Sequence, residues 1–449
     1  LPFSARSQAA LRQLAEATSE ALRGRTNGRE TFDDLRWTLA RRRTHHDHRL
    51  AVVARSKDEH AENLAEFAAG SKPAGFVAAH AGGHREPEVS FVFCGQGTQW
   101  WKMGRELLEA EPLCRQVIED CDLLFRQLGP WSLLEELGRD ESETRLNETA
   151  IAQPALYAIQ VALAKLWLSW GIEPSAVVGH SVGEVAAAHV CGALSFEDGA
   201  RVIFHRGRCM DLADAQGQML AVGLPLDELQ EIFGEKLSEV SIAAINSPSL
   251  VTLSGEGEPL QQIADVLEQR SIFNRFLKVN YAFHSAMMDP IRDELLSALE
   301  RLQPQESTLP MYSTVSGGLI EGTELGAEYW WKNVRQGVLF ADAVDAMLQS
   351  DLDLFVELGP HPVLSSSISE IGHARSQQPV VFHSLRRDEP ERESMLIALG
   401  GLYTQGCEVD WRVLSPETGR LVKLCTYPWE HQRFWPESHH SAAFRAGAR

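Results

Sequence analysis

Gly179-His180-Ser181-Val182-Gly183 is where residue type and spacing in this 449-residue chain first suggest chemistry. A serine between two glycines, entered by a strand and left by a helix, is the nucleophile-elbow pattern. Here the apolar run Ala176, Val177, Val178 enters the pentapeptide and the Ala-rich "EVAAAHV" leaves it. Glycines at 179 and 183 let strand and helix approach across a turn that a Cβ would obstruct. Ser181 Oγ then stands at a helix N-terminus. There the Val182 backbone N–H and the positive end of the helix dipole can stabilise a developing oxyanion. A bare GxSxG also occurs as an ordinary turn, so the weight rests on its strand–helix context.

A serine nucleophile needs a base. "YAFHSAMMDP" puts His284 just after the strand-like "FLKVN", in a strand-end loop of the kind that carries catalytic groups. The chain has 16 histidines, and most such residues are structural. His45, His46 and His48 lie in the basic run "RRRTHHDHR", which reads as a solvated face and has no metal spacing with any cysteine. A second glycine turn, "CGQGTQ" at 94–99, also follows a strand. It lacks the third glycine of a dinucleotide fingerprint, and its backbone N–H groups could supply a second oxyanion donor.

The elements that must position these residues follow from composition and periodicity. The length predicts two to four domains. The net charge of −20 argues against a nucleic-acid binder and against docking on anionic lipid. Seven widely spaced cysteines without a CxxC pair read as reduced thiols, with no disulfide framework and no metal site, and point to a cytoplasmic protein. No signal peptide is visible at "LPFSARSQAALRQLAEA", and Ile151 to Trp170 reads as a buried core helix rather than a membrane span.

Residues 5–70 alternate helical patterns with the strand "HRLAVVARS", a small α+β unit, and the Gly/Ala-rich 70–88 reads as a linker. From Val89 the texture becomes that of a mainly parallel α/β sheet. Residues from about 216 to 280 follow a β-α-β-β-α-β order, the ferredoxin-like pattern, inserted between the serine and the histidine. The predicted divisions are an α+β domain over 1–86, a main domain over 87–374, and a tail over 375–449.

Together these pieces resemble the malonyl-CoA:acyl-carrier-protein transacylase family, specifically the acyltransferase domain of a modular type I polyketide synthase with its flanking linkers. The motifs are "GQGTQ" at 95–99, "AQPAL" at 152–156, "GHSVGE" at 179–184, "HRGR" at 205–208, "YAFHS" at 281–285 and "ELGPHPVL" at 357–364. Each is modest alone; their order and spacing are specific. "LPFSARS…TLARRRTHHDHRLAVVA" resembles the ketosynthase-to-acyltransferase linker, and "TYPWEHQRFW" the segment after the acyltransferase. The resemblance covers essentially the whole chain. It implies an α/β-hydrolase-like parallel-sheet core with an inserted ferredoxin-like subdomain.

By that resemblance Ser181 is the nucleophile and His284 its base, with no acidic third member. A backbone carbonyl holds the histidine ring, and the matching position is Asn333 in "WWKNVRQGVLF". Gln96 and Val182 would give the oxyanion N–H groups and Gln153 would line the pocket. Arg206 would pair with the free carboxylate of a malonyl-type group, which a planar guanidinium binds bidentately. The implied substrate is an acyl-CoA and the implied acceptor the phosphopantetheine of an acyl carrier protein. No bound cofactor or metal is expected, and the expected partners include the ketosynthase and other domains of the same synthase. Tyr281 and Phe283 bear on the extender unit. The bulk of Phe283 disfavours a methyl branch and points to malonyl-CoA, while Tyr281 is the residue typical of methylmalonyl members. A methylmalonyl-selective or relaxed acyltransferase, a loading acyltransferase, a serine esterase and a silent scaffold are the alternatives.

Overall fold

The computed structural model describes the chain except residues 25–30, 72–74, 83–85, 214–216, 278, 280, 416, 432–437, 446 and 448–449. It divides into two compact units, Leu1–Gly82 with Ser415–Arg449, and Gly83–Leu414.

In the first unit, β1 (Pro2–Ala5), β2 (His48–Val52) and β3 (Phe76–His80) form an antiparallel sheet in that order. The helices α1 (Gln8–Gly24), α2 (Phe32–Arg41) and α3 (Lys57–Ala68) accompany it, and Phe3, Leu11, Leu35, Leu50, Leu64 and Phe67 form its core. Thr31 and Asp34 close a capping box at the start of α2, which fixes where that helix begins. β3 corrects the reading of 70–88 as linker: five residues, FVAAH, suffice because β2 supplies a full register of partners, His48 opposite His80 through Val52 opposite Phe76. The end of the chain belongs to this unit. Arg420 N donates to Asp34 Oδ1 at 2.7 Å, Val422 N to Thr38 Oγ1 at 3.0 Å, and Arg6 N to Tyr427 Oη at 2.8 Å. Residues 432–435 of the aromatic stretch lie outside the described residues.

The second unit is built on a six-stranded sheet. Its strands are β4 (Val89–Phe93), β5 (Pro174–Gly179), β10 (Met311–Ser313), β11 (Gly318–Ile320), β12 (Leu354–Leu358) and β13 (Val380–His383). They run in the order β11-β10-β5-β4-β12-β13, parallel except for the edge strand β11. β4 and β12 are buried throughout and, apart from Ser90 and Glu357, are apolar, as strands covered on both faces tend to be. The helix α4 (Thr149–Ser169) is apolar around nearly its whole circumference and accordingly lies inside the unit. Among the described residues it is the one helix long and apolar enough to cross a membrane, and 89% of its most apolar window is buried within the protein. The expected boundary near 375 is corrected, because β13 extends the main sheet beside β12 and this unit continues to Leu414.

The inserted subdomain is a four-stranded antiparallel sheet of β6 (Gly217–Val222), β7 (Ser241–Ser247), β8 (Leu250–Glu256) and β9 (Asn274–Phe276), in the order β7-β8-β6-β9. A helix over Leu226–Phe233 and another over Gly257–Gln269 complete the βαββαβ order. The residues at which its limits were expected, 216 and 280, lie outside the described residues. Val338 joins the subdomain to the main sheet's neighbourhood: its N–H donates to Ala243 O and its carbonyl accepts from Ile245 N, both at 2.9 Å.

Candidate active site

Phe93 pairs with Gly179 on one side and with Leu358 on the other. Three loops therefore leave the sheet at one level: the glycine turn at 95–99, the serine elbow and the 359–364 loop. Crevices at the carboxyl ends of parallel strands are where α/β folds place their ligands.

The elbow is as tight as its glycines suggested. A Cβ on Gly179 would meet the Glu184 backbone N, and one on Gly183 would meet Phe93 O. Ser181 itself has φ 53° and His284 φ 59°, both left-handed, a strain that surrounding structure must hold in place. The helix α5 (Gly183–Val190) follows directly, and α6 (Phe196–Asp211) carries Arg206.

Ser181 Oγ lies 2.8 Å from His284 Nε2. On its far side the His284 ring lies 2.7 Å from Gln336 O, from Nδ1. A carbonyl only accepts, so Nδ1 carries the proton and Nε2 is left to receive the serine's. This corrects the assignment of the orienting carbonyl to Asn333. The segment 336–338 leaves its helix α7 (Ala327–Arg335) in extended form, and that brings the Gln336 carbonyl, three residues further on, to the ring. Burial and the nearby Arg206 charge lower the His284 pKa to about 3, against the opposing hydrogen bond to Gln336, so the resting imidazole is neutral, with Nε2 unprotonated.

Asn333 has a different place. Its Nδ2 donates to Ser181 O at 3.1 Å and to Glu184 Oε2 at 3.0 Å, while its Oδ1 accepts from Arg206 Nε at 3.1 Å. Arg206 is 1% exposed and donates through Nη2 to Ser181 Oγ at 3.0 Å and through Nη1 to Met210 Sδ at 3.2 Å. Burial lowers its pKa to about 9, with Glu184 opposing. Glu184 is wholly buried and accepts from Thr314 N and Oγ1, from Tyr329 Oη at 2.5 Å and from Asn333. Burial raises its carboxyl pKa against those hydrogen bonds. Glu184, Gln336 and Tyr329 are the functional neighbours that sequence reasoning missed. An acidic side chain opening an otherwise Ala-rich helix was the available signal for Glu184.

Gln153 Nε2 donates to Gln96 Oε1 at 3.0 Å and reaches Met210 Sδ at 3.4 Å, while its Oε1 is buried without a partner among the described residues. The backbone N–H groups of Gln96 and Val182 donate to no other described residue. Tyr281 and Phe283 stack with ring centroids 5.6 Å apart and 13° between planes. Tyr281 Oη donates to Asp211 Oδ1 at 3.1 Å. Ser181, His284, Arg206 and Asn333 thus meet directly, whereas Gln153 joins them through Met210.

A hydroxyl with a neutral base on one side and a buried guanidinium on the other can form an ester with an acyl group that carries its own negative charge. The comparisons with known proteins point to acyl transfer. The family model "Acyl transferase domain" matches residues 90–409, and "CurL-like, PKS C-terminal" matches residues 1–64. The chain belongs to the acyltransferase domains of modular polyketide synthases. It is 36% identical to the polyketide synthase GfsB of Streptomyces halstedii over 97% of this chain and 8% of that one. It is likewise 36% identical to the erythronolide synthase EryA2 of Saccharopolyspora erythraea over 97% of this chain and 12% of that one. The chain therefore spans about a tenth of those relatives' length. Among solved structures, the acyltransferase domain from module 8 of the salinomycin polyketide synthase aligns with TM-score 0.86 and 33% identity, covering 92% of this chain and 97% of that one. A smaller relative, MCAT from Streptococcus pneumoniae, aligns with TM-score 0.61 and 26% identity over 70% of this chain and 99% of that one.

Proposed function

We propose that this domain transfers a malonyl unit from CoA to the phosphopantetheine thiol of an acyl carrier protein, in the cytoplasm and within a larger synthase. The observation that carries the reading is Arg206, a buried guanidinium 3.0 Å from the nucleophile, where a substrate carboxylate would give it a bidentate partner.

In the first half-reaction Ser181 Oγ attacks the thioester carbonyl while His284 Nε2 takes its proton. The oxyanion accepts from the Gln96 and Val182 N–H groups. The C–S bond then breaks, and His284 returns the proton to the departing CoA sulfur. In the second half-reaction His284 takes the proton of the phosphopantetheine thiol, the sulfur attacks the seryl ester, and Ser181 regains its proton as leaving group. No bound cofactor or metal takes part; acyl-CoA and carrier protein are the reactants. A hydrolase of the same elbow type would set a carboxylate on the histidine, and here that partner is the Gln336 carbonyl.

Malonyl rather than methylmalonyl is favoured by the bulk of Phe283, whose ring stacks on Tyr281, itself bonded to Asp211; Tyr281 is the residue that speaks for methylmalonyl. Selection by one methyl group is worth about 1–3 kcal/mol. The test is to give the domain equal malonyl-CoA and methylmalonyl-CoA with a phosphopantetheinylated carrier protein and follow the loaded carrier. Malonyl-carrier in excess supports the reading; free malonate with no loaded carrier points to a hydrolase instead.

A further inference from the structure

α4 buries two glutamines, Gln153 and Gln160, in an otherwise apolar helix. Burying an amide is unfavourable unless it is bonded, so each must have a partner. Thr149, Gln153 and Gln160 are spaced by four and seven residues and share one face of the helix. All three address the glycine turn. Gln96 Nε2 donates to Thr149 Oγ1 at 3.2 Å and Gln153 Nε2 to Gln96 Oε1 at 3.0 Å. Gln160 Nε2 donates to Cys94 O at 2.7 Å and lies 3.4 Å from Cys94 Sγ.

We infer that Gln160 is a positioning residue for the oxyanion donor at Gln96, an inference that rests on the acyl-transfer reading above. The Gln96 N–H belongs to the peptide plane whose carbonyl is Gly95 O, and a planar peptide points the two in opposite directions. Gly95 O accepts from Thr98 Oγ1 at 3.1 Å, and the Cys94 thiol lies 3.1 Å from the same hydroxyl. Gln160, which bonds both the carbonyl and the thiol of Cys94, therefore reaches the Gly95–Gln96 peptide through that thiol and the Thr98 hydroxyl. The Cys94 carbonyl lies where the chain leaves β4, only 2.7 Å from where a Cβ on Gly183 of the serine elbow would stand. Gln160 thereby holds the oxyanion turn at an atom whose place excludes a side chain from the nucleophile's own turn. Gln160 reaches neither Ser181 nor His284 in any hydrogen bond among the described residues, so its effect is on the donor's aim alone.

The test is rapid-quench acylation of Ser181 by malonyl-CoA in wild type, Gln160→Met and Gln160→Leu, reading burst amplitude and rate constant separately. The expected result is a rate constant per acylated site lower by about ten- to a hundredfold, part of what loss of a whole oxyanion donor costs. KM for malonyl-CoA should stay within about twofold, and the malonyl-to-acetyl preference should not move. A smaller amplitude with the wild-type rate constant would mean a folding role only and would overturn the inference. So would an unchanged rate constant in both variants. If wild type itself forms no malonyl ester, the acyl-transfer reading fails first, and the inference falls with it.

Discussion

Arg206 and Glu184, two buried opposite charges, do not touch; the amide of Asn333 stands between them, accepting from the guanidinium and donating to the carboxylate. The same amide donates to the carbonyl of Ser181. One side chain thus ties the nucleophile's backbone, the cation beside it and the anion behind it.

Asn333→Ala should consequently damage both stability and chemistry. It leaves Arg206 Nε without its acceptor and takes one of two donors from Glu184 Oε2, which keeps Tyr329; a buried group so stranded costs about 1–3 kcal/mol, more when charged. Urea unfolding should show a loss of about 2–4 kcal/mol, and kcat/KM for malonyl-CoA should fall at least about tenfold. Wild-type stability in this variant would contradict the bridging role.

Arg206→Ala should discriminate between substrates. Losing a buried charge-assisted pair costs about 3–5 kcal/mol, so kcat/KM for malonyl- and methylmalonyl-CoA should drop by about two to four orders of magnitude. Acetyl-CoA, which has no carboxylate, should be far less affected. Equal losses on all three would refute the carboxylate role.

The two shifted bases set the pH profile. With its pKa near 3, His284 stays neutral in acid, so it should impose no loss of kcat/KM on malonyl-CoA down to about pH 5. Arg206, with its pKa near 9, loses its charge above that value, and kcat/KM for malonyl-CoA should fall there while that for acetyl-CoA does not. Stopped-flow acylation from pH 5 to pH 10 reads both limbs. Stability carries the same signature: between about pH 6.5 and pH 3 the unfolded chain holds a proton on this histidine that the folded one does not. The folded state therefore loses stability as pH falls through that window.

Phe283→Ser should open room beside the reacting carbon and raise the methylmalonyl-to-malonyl ratio of kcat/KM by about ten- to a hundredfold. Tyr281→Phe removes only the hydrogen bond to Asp211 and should shift the ratio less. A ratio unchanged by Phe283→Ser would remove this pair from extender selection.

How much of this could be read from the chain depended on the range of each interaction. Ser181 and its glycines were legible because the elbow is local: strand, turn and helix are contiguous, and the collisions that require Gly179 and Gly183 arise within a few residues or with the adjoining strand. The βαββαβ insert was legible for the same reason, since its elements follow one another in order. The partner of His284 was not. Asn333 and Gln336 are three residues apart in one segment, and only the path of the chain beyond Arg335 decides which of them reaches the ring. Glu184 was hidden similarly, because the groups that satisfy it, Thr314, Tyr329 and Asn333, arrive from well over a hundred residues away. β3 and β13 were overlooked because short strands at or near a sheet edge take their stability from a neighbour rather than from their own apolar pattern.

The central claim, that Ser181 carries a carboxylated acyl group between thiols, is tested most directly by intact-protein mass spectrometry after incubation with an equimolar mixture of malonyl-, methylmalonyl- and acetyl-CoA, followed by a chase with phosphopantetheinylated carrier protein. The expected result is a malonyl adduct on wild type that maps to Ser181, is missing from Ser181→Ala, and moves to the carrier in the chase. An acetyl adduct in place of a malonyl one, or a malonyl adduct that persists in Ser181→Ala, would contradict it.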